Sequence, residues 1–158
     1  MKNEEFIHIR LVQESGDLLN AGFLFPTLFI VSQGIETLGA FLDKKPLAAK
    51  AQSKKRFNLA IEQLFNSKYQ QLCKDDWLYK QFRCNITHIC STGGFIVLAT
   101  KQQNLGSHLG LIKEQRLFVI EDLVEDFHKA CFEVMELLKN KKLKQKAMAL
   151  REISSYKV

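Results

Sequence analysis

The residues of this 158-residue chain best placed to do chemistry lie between Asp76 and His88. On a helical wheel, Leu78, Phe82, Ile86 and Ile89 form one apolar face. Arg83 falls on one margin of the opposite polar strip and His88 on the other. They stand about 140° apart and about 7.5 Å along the axis, with Lys80, Cys84 and Thr87 between them. The planar fork of an arginine matches phosphate oxygens. A histidine takes or gives a proton near neutral pH. Together they are the parts for cleaving RNA through its ribose 2′-hydroxyl, with no metal. The same two residue types also occur on ordinary solvated helix faces, paired with carboxylates, so spacing alone leaves both readings open.

Competing constellations are weaker. Cys84 and His88 form an i, i+4 pair that with Cys90 and Cys73 offers zinc ligands, but the knuckle spacing of structural zinc sites is missing. The sequence therefore predicts no metal and no cofactor. His108, in Ser107-His-Leu-Gly110, reads as a hydrogen-bonded structural histidine, and His8 and His128 read as inert. Gly93-Gly94 lacks the Lys-Ser/Thr that a phosphate-cradling loop needs, and no Gly-x-Ser-x-Gly elbow occurs.

The elements that must hold the Arg83 strip are mostly helical. Phe6 to Val12 alternates loosely and fits a short strand or a helical turn, with the strand favoured, and a turn and helix cap follow at Ser15-Gly16-Asp17. Residues 18–42 predict a very apolar helix, interrupted near Pro26, that is either the centre of the core or a dimer face. A second amphipathic helix runs from Ser53 to about Phe65, and the motif helix from Trp77 to about His88. After the breaker Ser91-Thr92-Gly93-Gly94, apolar runs at 95–99, 108–112 and 117–120 predict an antiparallel meander. A long closing helix follows from Glu121 to Leu138. The expected fold is mainly α: one domain over 1–139, a helical bundle with a small antiparallel β-meander inserted at about 94–120.

Residues 140–158 then form a basic tail, expected to be helical and dispensable for folding. The net charge is +6, and all of that excess sits in residues 139–158, because 1–138 balance to zero. Lys141, Lys142 and Lys144 are accordingly candidate RNA contacts, with Lys80 and Asn85 beside the motif. Cys73, Cys84, Cys90 and Cys131 form no disulfide framework, and the apolar stretch 21–31 is about half a membrane span. The sequence thus predicts a cytoplasmic protein without a membrane span. The apolar 18–42 segment predicts a homodimer.

Arg83-Cys-Asn-Ile-Thr-His88 resembles the Arg-x4-His signature of the HEPN superfamily, small helical domains found in toxins, abortive-infection proteins and RNA-processing enzymes. The segments Ile35 to Leu38 and Ile120 to Asp122 resemble flanking patterns in uncharacterised bacterial proteins that carry a similar motif. The resemblance implies Arg83 as phosphate stabiliser and His88 as general acid/base, acting in a groove between two protomers. It implies a metal-independent endoribonuclease with a toxin or defence role, and with an antitoxin or another protein as partner. Cys84 stands where that superfamily often has a polar residue, with Asn85 one position later. Some members bind nucleotides or partners without catalysis, so a non-catalytic dimerisation module is the alternative.

Overall fold

Thr27, Leu28, Val31, Ser32, Ile35, Leu38 and Phe41 are all buried on one helix, because spacings of three and four wrap them around most of its circumference. In the computed structural model, which describes residues 1–148, this helix (α2, Leu24–Leu42) is the axis of the fold. By length and mean hydropathy (1.3) it is long and apolar enough to cross a membrane, and 56% of that stretch is buried within the fold. The other helices are α1 (residues 3–20), α3 (Ser53–Leu64), α4 (Ser67–Leu72), α5 (residues 77–89) and α6 (Ile120–Lys139). The protein is mainly α with a small three-stranded β insertion.

The first segment is a helix, not a strand. Ile7, Leu11 and Ser15 recur every four residues and all are buried, whereas His8 and Arg10 are exposed. Ile7–Gln13 runs in wide, π-type turns, and Ser15-Gly16-Asp17 lies inside the helix. The break comes at Gly22, whose φ of +80° suits glycine. Pro26 then sits in the first turn of α2, where its missing N–H costs nothing, so it opens the helix and does not kink it.

α2 and α3 pack so closely that a Cβ on Gly39 would lie 1.8 Å from the carbonyl oxygen of Arg56. Gly34 gives similar room to the ring of Phe127 on α6. β1 (Ile96–Ala99), β2 (Leu111–Ile112) and β3 (Gln115–Val119) form a sheet in the order β1-β3-β2. It is not an all-antiparallel meander. β2 and β3 are antiparallel, but β1 pairs parallel with β3, from Ile96 opposite Arg116 to Ala99 opposite Val119. Residues 100–110 carry the chain back to the starting end, a return that parallel pairing requires.

His108 lies in that return and is a structural histidine. Its Nδ1 accepts from the Val119 N–H at 3.0 Å, and its Nε2 is 2.7 Å from the hydroxyl of Tyr69, which also donates to Asp126. His128 is no bystander either, since its Nε2 meets the buried Ser15 hydroxyl at 2.8 Å.

α6 stops in a tight C-terminal motif. Lys141 is left-handed (φ 56°), its N–H donates to Leu138 O, and the Lys142 N–H donates to Leu137 O. Residues 141–148 are therefore not helical, and the rest of the expected tail helix lies outside the described residues. Nor is the segment detached from the fold. Lys146 places its ammonium on the carbonyls of Ala40, Asp43 and Lys45 and on the Asp43 carboxylate, while its backbone exchanges hydrogen bonds with Asn3. It caps the C-terminal carbonyls of α2.

Two stability predictions follow from these contacts. Truncation after Asn140, which the sequence reading treats as harmless, is expected to lower the urea midpoint, and Lys146→Ala alone to cost about 1–3 kcal/mol. Equal midpoints for both proteins and wild type would refute the cap. Separately, burial holds His108 and His128 below the ordinary imidazole value, against the opposing pull of Asp126 and Asp122 on His108. The folded state then favours the neutral rings, so stability is full above about pH 6.5 and falls as pH drops below it. Urea titrations between pH 7 and 5 should show that fall, and the double variant His108→Gln/His128→Gln should flatten it. An unchanged slope in that variant would assign the pH dependence to other groups.

Candidate functional site

α5 owes its orientation to Leu78, Phe82 and Ile86, all buried against the core. Between Tyr79 and Cys84 its turns widen to the π type before tightening over Asn85–Ile89. A wheel drawn at the ordinary helical angle fails across such a segment. Wide turns bring the adjacent Phe82 and Arg83 inward together. Arg83, placed by the wheel on the outward strip, is in fact 9% exposed. Ile89, placed by the wheel on the apolar face, ends the helix 63% exposed.

Arg83 meets a polar cluster carried by α2. Its Nη2 lies 2.6 Å from Glu36 Oε2 and donates to Gln33 Oε1 at 3.3 Å. The Tyr79 ring stands 5.7 Å from its guanidinium carbon, a cation–π contact. Gln33 also donates to the Thr87 hydroxyl at 2.5 Å, and that hydroxyl donates to the Arg83 carbonyl at 2.8 Å. Gln33 thus ties two successive turns of α5 to α2. Among the described residues the Nε of Arg83 has no hydrogen-bond acceptor, although it is buried. Arg56, the other buried arginine among the described residues, uses each of its three nitrogens: Nε donates to Asp43, and the two terminal nitrogens to Leu47 O and Pro46 O, all within 2.8 Å.

The remaining sequence-derived residues scatter. His88 is exposed on the last turn of α5, beside exposed Ile89 and Cys90. Lys80 is exposed, with its ammonium on Asp75 O at 2.9 Å. Asn85 is half-buried and donates to Gln81 O at 3.4 Å, in a corner where Gly93 also docks on Gln81 O. That contact gives Asn85 a part in seating the 91–94 loop. Lys141, Lys142 and Lys144 lie beyond α6, and Lys142 and Lys144 line a cleft at the C-terminal end of α2. The structure therefore brings Arg83 together with Gln33, Glu36 and Thr87, not with His88 or the tail lysines of the same chain. Among the described residues no three His, Cys, Asp or Glu side chains gather as a metal-holding group.

Sequence reasoning missed Gln33 and Glu36. A signal was there: Glu36 is the only ionisable residue in Leu24–Leu42. A lone carboxylate in so apolar a helix calls for a buried cation. In comparisons with known proteins, no family model matches the chain, and no curated protein or solved structure matches it.

The burial of Arg83 changes what its removal should do. The wheel implied a harmless Arg83→Ala, but the pair predicts a loss of about 3 kcal/mol, since Glu36 is left without its cation. Arg83→Met combined with Glu36→Leu should recover most of that loss, because apolar packing replaces an ion pair at little cost. Urea denaturation of the three variants reads both effects. An Arg83→Ala protein as stable as wild type would show the pair to be irrelevant to the fold.

Proposed function

We propose that the chain is a metal-independent RNA endonuclease of HEPN type, working in a groove formed by two copies, with Arg83 and His88 as its reacting pair. The observation that carries the reading is the contrast between the two buried arginines. Arg56 uses all three of its nitrogens on the α2 end and the loop it pins, whereas Arg83 keeps its Nε unused at a largely buried seam. A buried ion pair adds little net stability, and an orphaned donor subtracts from it, so the fold alone gives weak reason to keep Arg83. A phosphate oxygen would complete it.

In this reading His88 takes the proton of a ribose 2′-hydroxyl, which attacks the adjacent phosphorus. Arg83 neutralises charge on the phosphorane, and the 5′-oxygen leaves with a proton from the His88 of the second copy. The products are a 2′,3′-cyclic phosphate and a 5′-hydroxyl. Arg83 faces inward while His88 faces solvent, so one helix does not bring both to one atom. A second motif helix across a two-fold axis supplies the missing group. Phe29, one turn before Gln33, and Ile89, beside His88, are exposed apolar residues suited to the edge of that contact. Glu36 is then a positioning residue, which holds the guanidinium until phosphate competes for it.

The second reading is a non-catalytic dimerisation or partner-binding module, located in the cytoplasm as in the first. It is favoured by the Glu36 carboxylate, which already neutralises Arg83.

Incubation with single-stranded RNA in EDTA separates the two. The enzyme reading expects slow cleavage leaving 2′,3′-cyclic ends, lost by 10²-fold or more in His88→Ala, an exposed position that leaves the fold intact. Arg83→Lys, which keeps the charge and loses the fork, should also cut poorly. Light scattering should give twice the chain mass. Intact RNA, or a His88→Ala protein as active as wild type, leaves the interaction module as the answer.

A further inference from the structure

A cavity of about 710 Å³ lies at the C-terminal end of α2, away from Arg83. One wall is the segment that follows α2, with Lys44 and Lys45, and the facing wall is the segment that follows α6, with Lys142 and Lys144. Asp43 is the only acidic residue in its lining, and it is already taken by Arg56 and Lys146. All four wall lysines are exposed, and among the described residues none has a carboxylate partner. Two stretches of chain, far apart in sequence, thus place four lysines without a carboxylate partner along one concave surface; the Lys45 ammonium donates to Gln52 Oε1 at 2.8 Å, a neutral partner that leaves its charge uncompensated. Lys146 fixes this arrangement, since it ties the second wall to the carbonyls of the first.

We infer that this cleft binds the phosphodiester backbone of a single nucleic-acid strand. Charge sets the sign of the ligand, and two facing rows of flexible cations suit a chain of phosphates. The shape favours a strand over a compact anion. Beyond Ala147, which borders both, a second cavity of about 350 Å³ continues along α2 and has Glu36 and Thr37 in its wall. Glu36 holds Arg83 and lies seven positions before Asp43, a helical rise of about 10 Å. A strand seated on the lysines points toward the Arg83 seam. That the strand is RNA rests on the proposed function; that the cleft takes a phosphate chain does not.

The test uses a fluorescent 2′-O-methyl U oligomer, which has no 2′-hydroxyl and is not cut, so binding is read apart from cleavage. In anisotropy titrations the intact chain should bind it with a salt slope that falls by about 0.7 for each phosphate contact removed. The variant Lys44→Ala/Lys45→Ala/Lys142→Ala/Lys144→Ala should bind at least tenfold more weakly at low salt and lose most of that slope. A control with the same charge change, Lys55→Ala/Lys68→Ala/Lys74→Ala/Lys113→Ala, all at exposed lysines outside the cleft, should bind as wild type does. A dT oligomer bound equally well would support the cleft as a general strand site, and weaker dT binding would support it as an RNA site. Equal losses in both quadruple variants would reduce the effect to net charge and overturn the proposal. So would inorganic tripolyphosphate competing as well as the oligomer at equal phosphate, since a compact anion would then suffice.

Discussion

One carboxylate organises this fold. Asp43 stands where α2 ends, and its two oxygens receive Arg56 from α3, the Lys45 N–H from the adjoining loop and Lys146 from beyond α6. Burial pushes the Asp43 carboxyl up, and the hydrogen bonds from Arg56, Lys146 and Lys45 outweigh it, holding it below the usual carboxylate range. Around this centre Arg56 and Lys146 together satisfy the carbonyls of Ala40, Asp43, Lys45, Pro46 and Leu47. Those groups would otherwise be the unpaired end of a helix and its following turn, a costly arrangement away from water. With the end of α2 fixed, Gly39 can lie against the Arg56 backbone, and the adjoining face of α2 can present Gln33 and Glu36 to α5.

Among the described residues there are thus two buried arginine–carboxylate pairs with different characters. The Arg56 pair joins neighbouring elements and gives every guanidinium nitrogen an acceptor, so its geometry is closed. The Arg83 pair joins α2 to a helix in wide turns, and leaves a nitrogen unanswered. Wide turns are themselves unusual, and they occur often where a helix has a task besides packing. The same widening buries Arg83 while His88, five residues on, emerges at the surface. A site built from both residues then has to be completed across an interface.

What the sequence made legible follows from periodicity. α2, α3 and α6 carry long apolar stripes, and a glycine pair followed by short apolar runs marked the β insertion. Residues 6–12 misled because Ile7, Ile9 and Leu11 fit an alternation, while Ile7 and Leu11 fit one helical face with Ser15 equally well, and only packing decides between them. The β1–β3 pairing was hidden since strand direction depends on where residues 100–110 lead the chain, not on the strands' own residues. Arg83 was assigned to the wrong face because a wheel presumes a constant turn. Lys146 stood unremarked in a basic run, where nothing distinguishes a lysine that docks on the fold from its solvated neighbours. Glu36 was readable, as the lone charge of an apolar helix, and its partner could have been sought from it.

The docking of Lys146 also orders events in time. The carbonyls at the end of α2 are capped by a residue 103 positions further along the chain. During synthesis those groups, and the apolar helix they terminate, must wait for their partner until nearly all of the described fold has emerged. Such intermediates expose apolar surface and are open to wrong association. The domain is therefore expected to consolidate late, its last-made contact closing a helix made among the first.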